Sequence, residues 1–258
     1  MTDSATAYLL IPGLFLGIVL LVKLGRRIGE RRVAAEPERE NGVPNTIEAA
    51  IYALFGLMVA FTFAGAASRF DARRNQTVQE ANAIGTAYLR LDLLPASAQP
   101  PLREKFRRYT EARIAVYRVL PDLEASNSHA ARAVALQGEI WSGAVTALKD
   151  APPVSSQLLL PALNEMIDIT TTRAIMLRTH TPAIIVVALL VLTLVCSVLI
   201  GVGLARKRSV GVSVYTFGFA LVVTVMMYVI FDLDHPSVGL IRLDHAEQAL
   251  TDVLAGMR

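Results

Sequence analysis

Four stretches of this chain are apolar for too long to be the interior of an ordinary soluble domain. They are Tyr8–Val22 with its uncharged flank, Ile47–Ser68, Thr181–Ala205 and Val210–Phe231. A bilayer core is crossed by about 18–20 mainly apolar residues in helical form. Within it each backbone N–H and C=O must be bonded inside its own segment, which leaves the helix as the natural solution. The sequence therefore predicts an all-α integral membrane protein with four transmembrane helices. Hydrophobic residues make up 53% of the chain and charged residues 18%, and these runs account for the imbalance. The first run is the shortest and holds Pro12, but no charge lies between Asp3 and Lys23. Positive charge follows this run instead of preceding it, so we read a retained anchor and not a cleaved signal peptide.

Charge placement predicts the topology. Short loops rich in Lys and Arg stay in the cytoplasm. Lys23, Arg26, Arg27, Arg31, Arg32 and Arg39 follow the first run, and Arg206-Lys207-Arg208 links the last two. Near the membrane on the opposite side stand only Arg69, Arg73, Arg74, Arg173 and Arg178. The resulting expectation is a first span over 1–24, a cytoplasmic linker over 25–46 and a second span over 47–68. An extracytoplasmic four-helix region follows over 69–179, then a third span over 180–205, a cytoplasmic turn over 206–209 and a fourth span over 210–231. An extracytoplasmic tail with a short helix closes the chain over 232–258. Both termini are expected outside the cytoplasm.

The extramembrane region shows helical spacing throughout. Val78, Ala81, Ile84, Tyr88 and Leu91 recur at three and four, as do Leu102, Phe106, Tyr109, Tyr117 and Leu120, with a gap at Arg113. Val134, Trp141, Val145 and Leu148 form a third stripe, and Leu159, Leu163, Met166, Ile169 and Met176 a fourth. Breaks fall at Leu94–Ser97, around Pro121, and at Pro152-Pro153. Four helices in up-down order, each with one apolar face, call for a bundle. Asn45 with Glu48 reads as a capping box that starts the second span, and Asp244 with Glu247 as one that starts the tail helix.

Two features are candidates for function. Small residues repeat at four along the second span, at Gly56, Ala60, Ala64 and Ser68, and Gly13 and Gly17 do so on the first. Such stripes let helices approach closely. They serve packing within the chain, contact between subunits, or a pore wall. Second, Arg69, Asp71, Arg73 and Arg74 end the second span, while Asp232 and Asp234 end the fourth. Arginine is the natural bidentate partner of a carboxylate. A clasp of Arg69 or Arg73 with Asp232 or Asp234 is one reading, and a charged vestibule repeated around a pore is the other.

Several classes fall away. The formal net charge of +3 does not suggest nucleic acid. Cys196, the lone cysteine, sits in an apolar run with nothing to activate it. His235, Asp244 and His245 match no strong metal-ligand spacing, so no metal or other cofactor is expected. No hydrolase, P-loop or zinc-protease signature occurs, so no enzyme and no catalytic residue is expected. Thr62, Thr193, Thr224 and Tyr228 are the sparse mid-span polar groups, too few for a carrier with a midplane site.

The stretch "EANAIGTAYLRLDLLP" (Glu80–Pro95), with the Arg69–Arg74 cluster before it, resembles the bacterial bestrophin-like integral membrane family. So do "LGRRIGERR", "LREKFRRYTEAR" and "DLDHPSVGLIRLD". The residues that carry the likeness are Arg69, Asp71, Arg73, Arg74, Glu80, Asn82, Gly85, Tyr88 and Arg90, then Asp232, Asp234, Pro236 and Gly239. The family name points to bestrophins, which are pentameric anion channels with a hydrophobic constriction, and whose termini and helical domain are cytosolic. The resemblance therefore implies a homo-oligomeric channel, with lipid, ions and further copies of the chain as partners. Its orientation is opposite to the one charge placement predicts. The alternative is a membrane sensor or scaffold whose helical bundle acts through a separate partner.

Overall fold

The computed structural model describes residues 4–35, 45–120, 122–205, 212–235, 240 and 244–257. Side chains are described for these except at 4–10, 45, 212–213 and 244–247. Every regular element among them is helical. In order they are α1 (Ser4–Ala35), α2 (Asn45–Leu89), a 3-10 turn (Arg90–Leu93), α3 (Gln99–Arg118), α4 (Leu123–Leu148), α5 (Pro153–Arg178), α6 (Ala183–Leu204), α7 (Val212–Asp234) and α8 (Asp244–Gly256). The contacts divide the chain into two units. One holds 1–68 and 180–235, the other 69–179 and 236–258.

In the first unit α1 packs on α6 and on α7. Ile18, Val22, Phe55, Cys196, Ala220 and Val223 form its core. The α1–α6 crossing is set by glycine. A Cβ on Gly25 would lie 2.1 Å from the Val198 carbonyl oxygen, and one on Gly201 would lie 2.1 Å from that of Val22. Gly29, one turn beyond Gly25, faces Ala205 and Val202, where a Cβ would come within 2.6 and 2.9 Å. The backbones touch there, as small-residue faces allow. Gly13 and Gly17 meet nothing within 4 Å among the described residues, so of their possible uses packing within the chain is not the one seen. The Gly25–Gly29 contact also explains why α1 continues to Ala35, past the expected boundary at residue 24. It is docked on α6, and Arg26 and Glu30 form an i,i+4 pair at 2.8 Å on its outer face.

Large apolar side chains cover the outside of this unit, among them Phe61, Ile184, Val214 and Phe217. Exposed apolar surface on this scale marks a membrane or protein contact. Among the described residues three helical stretches are long and apolar enough to cross a membrane. They are Thr46–Leu93, Pro153–Leu204 and Val214–Asp234, and the apolar part of the second is α6. The expectation of four is thus reduced to three. The first expected span is helical from Ser4, but its side chains up to residue 10 fall outside those described. The protein is a multi-pass membrane protein built of helices.

The second unit is built from the C-terminal part of α2, the 3-10 turn, α3, α4, α5 and α8. Ile84, Leu91, Phe106, Tyr109, Ile140, Leu159, Leu163, Met166, Leu250 and Met257 are all fully buried in it. Burying each large apolar side chain contributes about 1.5–3 kcal/mol. Asp122 caps α4, accepting from the backbone N–H groups of Glu124 and Ala125. Sequence reading did not assign α8 to this core. It packs on α3, where Arg107 donates to the Met257 carbonyl at 2.7 Å.

The expected α4 stripe is corrected. Val134 and Val145 are exposed, and the buried face is Ala133, Leu136, Gln137, Ile140 and Ala144. The α3–α4 approach is tight: a Cβ on Gly143 would meet the Leu102 side chain at 2.9 Å. Val78 of α2 likewise points outward.

Candidate functional site

The second unit holds a buried cluster of charge. Glu80 on α2 is 0% exposed, Arg113 on α3 is 6% and Arg173 on α5 is 4%. Arg113 Nε donates to Glu80 Oε1 at 2.5 Å, and Arg173 Nη1 donates to Oε2. Arg113 Nη2 also donates to the Tyr117 hydroxyl at 2.5 Å, and the Arg173 guanidinium lies 3.9 Å from the centre of the Tyr117 ring. Burial pushes the Glu80 carboxyl up, but the two guanidiniums and their hydrogen bonds outweigh it and hold the carboxyl below its ordinary value. Arg113 moves up despite burial, through Tyr117 and Glu80. Burial raises Tyr109 beside it, whose hydroxyl accepts from Gln137 at 3.2 Å. Glu80 was expected only as a family residue. Arg113 was read as a gap in a stripe, and Arg173 only as one of the basic residues near the membrane. The signal for both is a charge at an apolar register position.

The arginine-rich end of the second span separates by depth. Arg73 is buried and caps the C-terminus of α5, donating to the carbonyls of Met176 at 3.2 Å and Thr179 at 2.6 Å. A cation at the last carbonyls of a helix satisfies groups that have no partner in the helix, and it complements the dipole. Asp71 and Arg74 are exposed, and Arg69 is partly so. Of the other family residues, Tyr88 is buried edge-on to Phe106, with ring centres 6.0 Å apart. Arg90 donates to the Leu158 carbonyl at 2.5 Å. Gly85 faces Val253 of α8, and Asn82 is exposed. Pro236 and Gly239 lie outside the described residues, as do the side chains of Asp244, His245 and Glu247.

In the first unit the small-residue stripe of α2 faces away from the chain's other described helices. Gly56, Ala60, Ala64 and Ser68 are all exposed, and a Cβ on Gly56 would meet nothing within 4 Å. The buried side of the same helix is Phe55, Thr62 and Ala66. Three mid-span hydroxyls turn inward on their own helices: Thr62 donates to the Met58 carbonyl, Thr193 to that of Leu189 and Ser197 to that of Thr193.

The end of α7 carries the expected aspartates, both buried. Asp234 Oδ2 accepts from the backbone N–H of Thr181 at 2.7 Å, just before α6. His180 Nδ1 lies 3.1 Å from the Asp234 carbonyl oxygen, and His235 Nδ1 lies 3.1 Å from that of Phe231. The two imidazoles stack with centres 4.6 Å apart, and Phe231 lies against His235 on the ring at 4.3 Å. Sequence reading missed His180 here, because it is 54 residues from Asp234.

A family model described as a bestrophin-like domain matches residues 13–247. Among solved structures the chain is similar to a bacterial bestrophin homologue from Klebsiella pneumoniae that carries a single leucine-to-threonine substitution. Identity is 14%, the TM-score is 0.72, and 96% of this chain and 98% of the other are covered. A second form of that homologue, with an isoleucine-to-threonine substitution, aligns with a TM-score of 0.71 at 14% identity, covering 95% and 99%. A structure described only as a membrane protein with a serine-to-alanine substitution gives 0.71 at 14%, covering 96% and 97%. Comparison with curated protein sequences gives no match.

Proposed function

Because the chain belongs to the bestrophin-like family, we propose that it is an ion channel formed by several copies of itself in the bacterial inner membrane. The observation that carries this reading is the outward stripe of Gly56, Ala60, Ala64 and Ser68 on α2. Leu57 and Phe61 are exposed beside it. Among the described residues no other helix covers this face. A helix with small and apolar side chains on one side suits a subunit contact or a narrow, dry pore wall. The exposed charges Asp71 and Arg74 follow that face in sequence and suit a vestibule. The basic balance favours anions as the permeant ions.

Residues 69–179 outside the cytoplasm is the orientation that charge placement supports. Labelling of single cysteines at Arg74 and Arg258 from either side of the membrane distinguishes it from the reverse. The function is tested by reconstituting purified protein into planar bilayers. Discrete ion-selective currents are expected, and Ala60→Trp should reduce or abolish them. A monomeric particle with no conductance ends the channel reading. Silent bilayers together with a co-purifying cytoplasmic protein favour the sensor.

A further inference from the structure

We propose that His180, Asp234 and His235 form a binding site for a divalent transition metal ion of the zinc type. One ligand atom from each of the three lies within 4.8 Å of the others. Two imidazoles and a carboxylate are a borderline-soft donor set. They suit Zn²⁺ and its neighbours and not Ca²⁺ or Mg²⁺, which require oxygen.

The surroundings match what holds such ligands in place. A metal-binding histidine commonly donates its second ring N–H to a carbonyl, which fixes both tautomer and ring angle. Here Nδ1 of each histidine sits at a backbone carbonyl, that of Asp234 for His180 and that of Phe231 for His235. A ring that donates through Nδ1 carries its lone pair on Nε2. The Asp234 carboxylate is oriented in turn by the Thr181 N–H. The His180 and His235 rings stack nearly parallel, 6° apart, so one of them must tilt out of the stack for both in-plane lone pairs to reach one ion. Asp234 is 5% exposed at its side chain and His180 is 40% exposed, so the site is anchored on one side and reachable from solvent on the other. Three protein ligands leave a fourth position for water. An ion there would tie the start of α6 to the end of α7.

The test uses the full chain purified in detergent with a tag that contains no histidine. After chelator washing, Zn²⁺ is titrated against a chromophoric competitor, and thermal unfolding is followed with Zn²⁺, Ca²⁺ or Mg²⁺. One Zn²⁺ per chain is expected, with an upward shift in Tm that Ca²⁺ and Mg²⁺ do not give. His180→Gln and His235→Gln should each weaken binding by at least about 100-fold, the upper end of what losing an outer-shell partner costs. His129→Gln, on a separate helix, should leave binding unchanged. Co²⁺ should give the intense visible absorption of a tetrahedral site in the wild type and lose it in His180→Gln. Zn²⁺ binding that survives both histidine substitutions overturns the proposal. So does a wild type that binds no Zn²⁺, or an equal response to Ca²⁺.

Discussion

Replacing Glu80 with Gln removes one charge and almost no volume, so its cost measures how far charge balance holds the helical unit together. Both carboxylate oxygens are engaged, Oε1 by Arg113 at 2.5 Å and Oε2 by Arg173. The amide keeps one acceptor oxygen and leaves two guanidiniums buried without a countercharge. Breaking a buried ion group by removing one partner costs about 3–5 kcal/mol. Two hydrogen bonds to charged groups, at about 1.5–3 kcal/mol each, give the same scale. The Tyr117 ring against Arg173 offsets part of this, which points to the lower end, about 3 kcal/mol. Trp141, the only tryptophan, packs against the same core, so its fluorescence during denaturant titration reports on this unit. The sign of the pH dependence follows from the depressed carboxyl. Its stabilisation is complete above the unfolded-state value near 4.5, and it is lost as pH falls through the lower folded-state value. The gap between wild type and Glu80→Gln should therefore be full at pH 7 and narrow once the pH drops below about 4.5. A loss under about 1 kcal/mol at neutral pH, or a gap that widens on acidification, refutes the argument.

Three further outcomes are expected. Gly25→Ala and Gly201→Ala should each lower stability by at least about 1–3 kcal/mol in thermal unfolding, because the new Cβ meets backbone, whereas Gly17→Ala should stay within about 0.5 kcal/mol. Arg73→Met should cost about 2 kcal/mol, since two carbonyls at the end of α5 lose a charged donor, and hydrogen exchange should rise first over 174–179. In α4, Ala133→Asp should unfold the bundle as judged by Trp141 fluorescence, while Val134→Asp should change its stability by less than about 1 kcal/mol.

The helical class was legible because the length of an apolar run is a property of sequence alone. Breaks were legible at Pro and Ser clusters for the same reason: α3 begins at Gln99 and α5 at Pro153, beside the punctuation read there. What was hidden depends on partners far along the chain. Glu80 meets Arg113 and Arg173 across 33 and 93 residues, and no local pattern announces such a meeting. The α4 register failed because hydrophobicity ranks valine above alanine and glutamine, while the buried face includes Ala133, Gln137 and Ala144 beside Leu136 and Ile140. Gly25 and Gly29 carry GxxxG spacing, but they lie among Arg26, Arg27 and Arg31 in what reads as a loop, so charge concealed a packing face. His180 and His235 became neighbours only through the meeting of two helix ends.

The glycine crossing of α1 and α6 also sets an order of events during synthesis. Gly201 is made roughly 175 residues after Gly25. At about 5–20 residues per second, α1 waits about 9–35 s for the helix it fits. Throughout that interval a bare backbone groove, shaped for one partner, stands open to lipid and to every other helix being inserted nearby. The protein's exposure to mispairing therefore lasts until residue 201 of 258 is made, and factors that hold a young helix in the membrane would act on this protein at α1.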